Sequence, residues 1–146
     1  MPTYEIKPQE GIGPVRFGMG QREVYAAVPE RPRPYRRTRD ASHPADAFDA
    51  AGLHVHYGGM EPVVEVVEAT LAPDVTVTLR GVDVFGQPAE AVVAALAAQT
   101  NVVTEEHGRV VLLPEWDVSL WRASAESERF TTVGAAAPGF DHLAAV

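Results

Sequence analysis

Two histidines have the spacing of metal ligands. His54 and His56 are separated by one residue, in a segment where positions 53–57 alternate between apolar and polar side chains. Successive side chains of a strand point to opposite faces, so both imidazoles would project from the same face. A third ligand would come from His43, Asp46, Asp49 or His107. The sequence does not select among these four, and the alternative is that His54 and His56 are solvated polar residues on the wet face of a strand.

The sequence gives less support to a catalytic role than to a metal site. The neighbouring carboxylates that could serve as an acid and a base are Glu105 with Glu106, Glu115 with Asp117, and Glu126 with Glu128. We interpret these pairs as solvated strand edges and turn residues. No serine lies in a Gly-x-Ser-x-Gly turn, and the glycines between Gly11 and Gly20 lack the lysine of a phosphate-binding loop. The sequence therefore predicts no catalytic residue and no cofactor.

Two tryptophans favour a role in binding. Trp116 and Trp121 have an odd separation, so a regular strand would place them on opposite faces and leave one of them near the surface. An aromatic side chain beside arginines has the composition of a protein-interface hot spot or of a platform on which a ligand stacks. The alternative is an aromatic side chain that the tail around Phe140 covers. The residues that we predict to contact a partner are Arg36, Arg37, Arg39, Arg80, Trp121 and Arg122.

Residues 29–40, which we call the Arg/Pro segment, concentrate the positive charge. Five of the 12 cations lie at positions 31–39, interleaved with prolines, and the remaining seven face all 20 anions, a net charge of −13. Closely spaced prolines predict a loop here, with neither a helix nor an interior strand. The loop is either solvated and mobile or a contact arm for an acidic partner or a phosphate. The overall charge of −8 argues against nucleic acid or an anionic membrane as the main partner.

Length and composition predict one globular domain, residues 1–146. The chain has 46% hydrophobic and 22% charged residues, which are ordinary globular values. It has no cysteine, which excludes disulfides and thiolate metal sites. The first residues lack the pattern of a secretion signal and no apolar run is long enough to span a membrane, so we expect a soluble, cytoplasmic protein.

The elements that would position these residues follow an internal repeat. The pattern G-x-x-x-F-G-x5-V-x-A-A-[VL] begins at Gly13 and again at Gly81, 68 residues later. Each Phe-Gly pair precedes a predicted short helix with one apolar stripe, formed by Val24, Ala27 and Val28 in one case and by Val92, Val93 and Leu96 in the other. We predict repeat one at about 11–80, repeat two at about 81–135, and an irregular tail at 136–146 that Phe140 pins to the body.

Alternating segments predict the strands. They lie at 53–57, 63–70, 75–79, 102–106, 109–113, 118–122 and 129–133, with a hairpin turn at Gly58–Gly59. The predicted fold class is α+β, an antiparallel sheet of about seven or eight strands with two short helices on its apolar face. The opposite, open face would carry His54, His56, Thr76, Thr78, Arg80, Ser119 and Trp121.

The segments 11–24, 81–90 and 118–122 together resemble the corresponding parts of many small bacterial proteins. Such proteins are similar to the superfamily of the β-lactamase inhibitor protein and the small outer-membrane assembly lipoprotein. The resemblance implies a helical element packed on a curved antiparallel sheet, tandemly duplicated in the inhibitor, and a sheet face or loops presented to another protein. It implies fold rather than function. This chain lacks the disulfides of the inhibitor and the lipidated cysteine of the lipoprotein, so a β-lactamase target or an envelope role does not carry over.

We therefore expect a non-enzymatic binding protein, immunity- or inhibitor-like, that uses the open sheet face and the Arg/Pro segment. Its acidity suits a basic protein partner, such as a nuclease toxin. The alternative is a small-molecule or metal-binding domain, or an enzyme, that uses the same face with His54, His56, Tyr57 and Trp121. A third possibility is an oligomeric role, because an exposed edge strand could dimerise the chain.

Overall fold

The protein has a mixed α+β fold built from two sheets and two helices in the part of the chain that the structure describes. The structure is a computed structural model, and it describes residues 2–139. One sheet has five strands and the other has eight, and most strand pairs are antiparallel. This confirms the α+β class. The prediction of a single sheet of seven or eight strands was wrong, because several short extended segments near Tyr4 and Val77 form a sheet of their own.

The elements follow one another along the chain with short connections. They are β1 (Thr3–Lys7), β2 (Gly11–Ile12), β3 (Val15–Arg16), α1 (Gln21–Ala27), β4 (Arg33–Tyr35), β5 (Ala45–Phe48), β6 (Leu53–Gly58), β7 (Val63–Thr70), β8 (Thr76–Leu79), β9 (Val82–Asp83), α2 (Ala89–Ala97), β10 (Val103–Glu105), β11 (Val110–Leu113), β12 (Val118–Trp121) and β13 (Thr132–Ala136). Within residues 2–139 no helix is long and apolar enough to cross a lipid bilayer.

The five-stranded sheet has the order β3-β2-β1-β8-β9. Strands β1 and β8 are parallel, and the other neighbours are antiparallel. The predicted strand at 75–79 therefore belongs to this sheet. As a consequence Thr76, Thr78 and Arg80 do not share a sheet face with His54 and His56, which corrects the composition of the predicted open face.

The eight-stranded sheet has the order β10-β11-β12-β13-β7-β6-β5-β4. All of its neighbours are antiparallel. Strands β4 to β7 form one meander and β10 to β13 form another, and the last strands of the two meanders pair with each other. The candidate site lies on this sheet.

The core lies against one face of the eight-stranded sheet. Val24 of α1 and Val92 of α2 are fully buried and belong to the same apolar cluster as Leu53 and Leu120 of the sheet. Phe48 fills the same cluster. Because side chains alternate along a strand, the opposite side, which we call the outer face, carries His54, His56, Glu68, Thr70, Ser119, Trp121 and Thr132.

Three local predictions need correction. The Arg/Pro segment contains β4, which lies at the edge of the eight-stranded sheet, where Pro34 costs no ladder hydrogen bond. Gly58 lies in β6, so the hairpin turn runs from Gly59 to Pro62 rather than through Gly58–Gly59. Strand β13 extends to Ala136, so the irregular tail begins later than predicted. Phe140 lies outside the described residues.

Candidate functional site

A groove of about 810 Å³ lies where the end of the Arg/Pro segment meets the hairpin of β6 and β7. One wall is the loop from Arg37 to His43, and the other is the hairpin with Met60 at its turn. The remaining lining comes from Ala45, His56, Tyr57, Gly58, Gly59, Glu65 and Val66. The groove thus joins the loop and the sheet face, the two features that the sequence predicted as a binding surface.

A bulge in β7 places a carboxylate in this groove. Tyr57 pairs with Val64 and His56 pairs with Val66, so Glu65 is the extra residue between them. Bulges re-aim side chains in this way. A Cβ atom added to Gly58 would lie 2.2 Å from Glu65 Oε2, which shows that the carboxylate rests directly on the glycine. Glycine at position 58 is what allows this close approach.

A histidine and a second glutamate form a hydrogen-bonded pair beside the groove. His56 Nε2 donates to Glu68 Oε1 at 2.6 Å, and both side chains are largely buried. Burial alone would raise the pKa of Glu68, but the hydrogen bond from His56 and the nearby charges of His56 and Arg37 hold it below its ordinary value. Glu68 is therefore a carboxylate whose charge is already balanced within the chain.

The other histidine of the outer face contacts a tyrosine of β4. The Tyr35 hydroxyl lies 2.9 Å from His54 Nδ1, and the two rings meet edge to face with centroids 5.6 Å apart. Burial lowers the pKa of His54, which favours the neutral ring, and a neutral ring nitrogen can accept a hydrogen bond from the Tyr35 hydroxyl. Burial, and next the charge of Glu68, raise the pKa of Tyr35. The contact holds the edge strand against the outer face.

The candidate third metal ligands are dispersed. His43 Nε2 lies 2.9 Å from the carbonyl oxygen of Gly59, and Asp49 forms a two-point contact with Arg33. His107 is exposed in a short 3₁₀ turn, and Asp46 points to the core side of the sheet. No group of three or more potential ligand side chains is close enough to hold a metal ion among residues 2–139. His54 and His56 do share a face, as predicted from their spacing, but each has a ring nitrogen in a hydrogen bond.

Asp46 has a different role, which the sequence did not reveal. It is fully buried and accepts hydrogen bonds from Tyr57 at 2.9 Å, Tyr25 at 3.1 Å and Gln21 at 3.2 Å. Burial, the hydrogen bond and the negative charge of Asp46 raise the pKa of Tyr57, and the same causes raise that of Tyr25 to about 12. The carboxylate ties α1 to the strands behind the groove. The signal for it is an aspartate inside the apolar stretch Ala45–Phe48.

The predicted partner-binding arginines divide into two groups. Arg37 and Arg39 are exposed, and within residues 2–139 neither makes a hydrogen bond or an ion pair. Arg36 donates to the carbonyl oxygen of Ala41. Arg80 lies over Trp116, 5.5 Å from the ring centroid. Arg122 donates to the backbone carbonyls of two turns, at 2.9 and 2.8 Å.

Trp121 lies on the outer face but does not line the groove. Its indole N–H donates to Ser119 Oγ at 3.0 Å, and the guanidinium of Arg109 lies 5.4 Å from its ring centroid. Arg80 is near Trp116 rather than near Trp121. Of the six predicted contact residues, the structure places only Arg37 in the groove.

The comparisons with known proteins identify no relative of this chain. No protein-family model matches the chain, and neither a curated protein nor a solved structure matches it. The resemblance to the inhibitor superfamily therefore stays a prediction, and the function is argued from the site alone.

Proposed function

We propose that this chain is a non-enzymatic binding protein, of the immunity or inhibitor kind, whose groove receives a segment of a protein partner. The observation that carries the proposal is the groove itself. It is formed jointly by the loop from Arg37 to His43, which begins within the Arg/Pro segment, and by the outer face of the eight-stranded sheet. The groove presents Arg37 and Met60, and arginine and methionine are enriched at protein interfaces.

The side chains around the groove support binding rather than catalysis. His56 is paired with Glu68 and His54 with Tyr35, so the two histidines brace the sheet face. In contrast, Arg37 and Met60 at the rim are exposed, and Met60 is completely so. The hydrogen-bonded sheet face provides a rigid surface, and the exposed rim provides side chains that a partner can bury.

The charge of the chain supports a basic partner. The formal net charge is −8, and the Arg/Pro segment holds five of the 12 cations. The surface away from that segment is therefore strongly acidic. Complementary charge accelerates association and selects against acidic proteins.

The internal duplication is part of the proposal. Helix α1 begins at Gln21 and α2 at Ala89, which is the same offset of 68 residues as the sequence pattern. Each helix is followed by four strands that form an antiparallel meander. A duplicated ancestor accounts for both regularities, and it also accounts for the pairing of β7 with β13 at the centre of the sheet.

Site-specific photocrosslinking in the native host tests the function. A photoreactive amino acid replaces Met60 in the groove in one variant and the exposed Leu71, outside the groove, in the control. We expect a single protein to be cross-linked from position 60 and not from position 71. Equal cross-linking from both positions, or no protein cross-linked from position 60, would contradict the proposal.

Purified components then complete the test. Ser42 lines the groove and is exposed, so Ser42→Trp fills the groove without disturbing the core. Ala98, at the end of α2, is also exposed, and Ala98→Trp is the matched control. We expect Ser42→Trp to weaken binding of the captured protein about tenfold or more, since the groove centre is where binding energy concentrates. Unchanged binding by Ser42→Trp would refute the groove as the interface.

A further inference from the structure

The carboxylate of Glu65 lies in the groove without a hydrogen bond or an ion pair in the part of the chain that the structure describes. The bulge in β7 turns the side chain into the groove, and Gly58 allows it to lie on the neighbouring strand. Glu65 is also partly buried. A partly buried carboxylate has lost some of its hydration and gains from a cationic partner.

The nearby charges leave a local excess of negative charge. Arg37 also lines the groove, and its charge helps to hold the pKa of Glu68 below the ordinary value. His56 and Arg37 offset the charge of Glu68, and the carboxylate of Glu65 adds a second negative charge to the groove. The groove can therefore accept one more positive charge.

The groove also provides apolar contact for the stem of a long side chain. Met60 is exposed at its rim, and Ala41 and Tyr57, which are half-buried, also line it. Long basic side chains place their methylene groups on such surfaces while the charged head reaches a polar partner. An apolar surface beside a carboxylate therefore favours a ligand side chain that has an apolar stem and a positively charged end.

We propose that the groove takes an arginine side chain of the partner, with its guanidinium on Glu65 and its methylene groups along Ala41 and Met60. Arginine fits better than lysine, because its planar fork can bind both oxygens of a carboxylate and it is more weakly hydrated than an ammonium group. This inference rests on the proposed function and names the chemistry by which the same groove recognises its partner.

Amide NMR titration of the full chain tests the inference without the partner. The probe is N-acetyl-arginine methylamide, and the matched neutral probe is the citrulline analogue, which has nearly the same shape. The variants are Glu65→Gln and Glu61→Gln, the latter an exposed carboxylate in the hairpin turn that does not line the groove. We expect the arginine probe to shift the amides of Gly58, Gly59 and Glu65, and the citrulline probe to leave them unchanged.

The expected effect of each variant is distinct. Glu65→Gln should weaken arginine binding about fivefold or more, as loss of a charge-assisted hydrogen bond does, and Glu61→Gln should leave it unchanged. Equal affinity of the two probes, equal effects of the two variants, or shifts spread over the whole acidic surface would each overturn the inference. A partner captured through position 60 that binds Glu65→Gln as tightly as the wild type would also overturn it, and would leave the proposed function standing.

Discussion

Replacing Gly58 by alanine separates the position of the Glu65 carboxylate from its charge. The new Cβ would lie 2.2 Å from Oε2 and 2.7 Å from Oε1 of Glu65, so the carboxylate must move away from the strand. The backbone at Gly58 is not in the left-handed region, so alanine fits it without strain. The variant keeps every charge of the groove and changes only where one of them lies.

The cost in stability should be small. Alanine reduces the freedom of the unfolded chain, which stabilises the fold by about 0.4–1 kcal/mol. Pushing a torsion of the Glu65 side chain about 30° away from its rotamer costs about 0.5–1.5 kcal/mol. The two effects nearly cancel, so the free energy of unfolding should change by no more than about 1 kcal/mol and Tm by no more than about 4 °C.

Gly52→Ala is the matched control for a glycine that the fold itself requires. Gly52 has a φ of +73°, and a Cβ there would lie 2.6 Å from the backbone oxygen of Thr70. The left-handed backbone costs roughly 1–2 kcal/mol for a residue with a Cβ. The collision adds to this cost, so the variant should lose about 2 kcal/mol or more.

Urea unfolding and the arginine titration together decide the outcome. Gly58→Ala should unfold at nearly the wild-type urea concentration and bind the arginine probe as weakly as Glu65→Gln does. The reasoning is refuted if Gly58→Ala is destabilised as much as Gly52→Ala, or if it binds the arginine probe with wild-type affinity.

Three further outcomes follow from the buried polar groups. Asp46→Ala should lower the free energy of unfolding by about 2–4 kcal/mol, because three donors lose a charged acceptor. Urea unfolding of Asp49→Ala, at an exposed ion pair, should show a much smaller loss. All four tyrosines have a raised pKa, so near-ultraviolet absorbance should show phenolate forming above pH 10. The free energy of unfolding should fall from pH 10 upwards, because Tyr25 has a pKa of about 12 in the folded protein and an ordinary value of 10 in the unfolded chain. The pKa of Glu68 is lowered in the fold, so its contribution to stability is complete above pH 4.5 and is lost as the pH falls through the folded value. Urea unfolding of Glu68→Gln should accordingly show a weaker loss of stability in acid than the wild type, and an unchanged acid profile would contradict that assignment.

Strands with a strong local pattern could be predicted from the sequence. Strand β7 has the predicted bounds, 63–70, because it is rich in β-branched residues. Strand β4 lies among prolines and β5 is only four residues long with two alanines, so neither stands out locally. Both are stabilised by pairing with β6 or with each other, and such pairing is tertiary information.

The groove depends on strand register, which the sequence leaves open. A two-residue turn at Gly58–Gly59 would place His54 opposite Val63. The longer turn and the bulge at Glu65 instead place His54 opposite Glu68. One change of register therefore decides which carboxylate meets a histidine and which one enters the groove.

The five-stranded sheet could not be predicted from the sequence, for a similar reason. Strand β1 pairs in parallel with β8, more than seventy positions later along the chain. Both strands are short, and the pattern of each contains no information about its partner. Thr76, Thr78 and Arg80 were assigned to the wrong sheet for this reason.

Amide hydrogen exchange tests the central claim most directly. The measurement compares the chain alone with the chain bound to the protein captured through position 60. The account predicts slower exchange on binding at residues 37–43 and 59–62, the two walls of the groove. Protection confined to another surface, such as the exposed edge strand β10, with unchanged exchange at both walls, would contradict it.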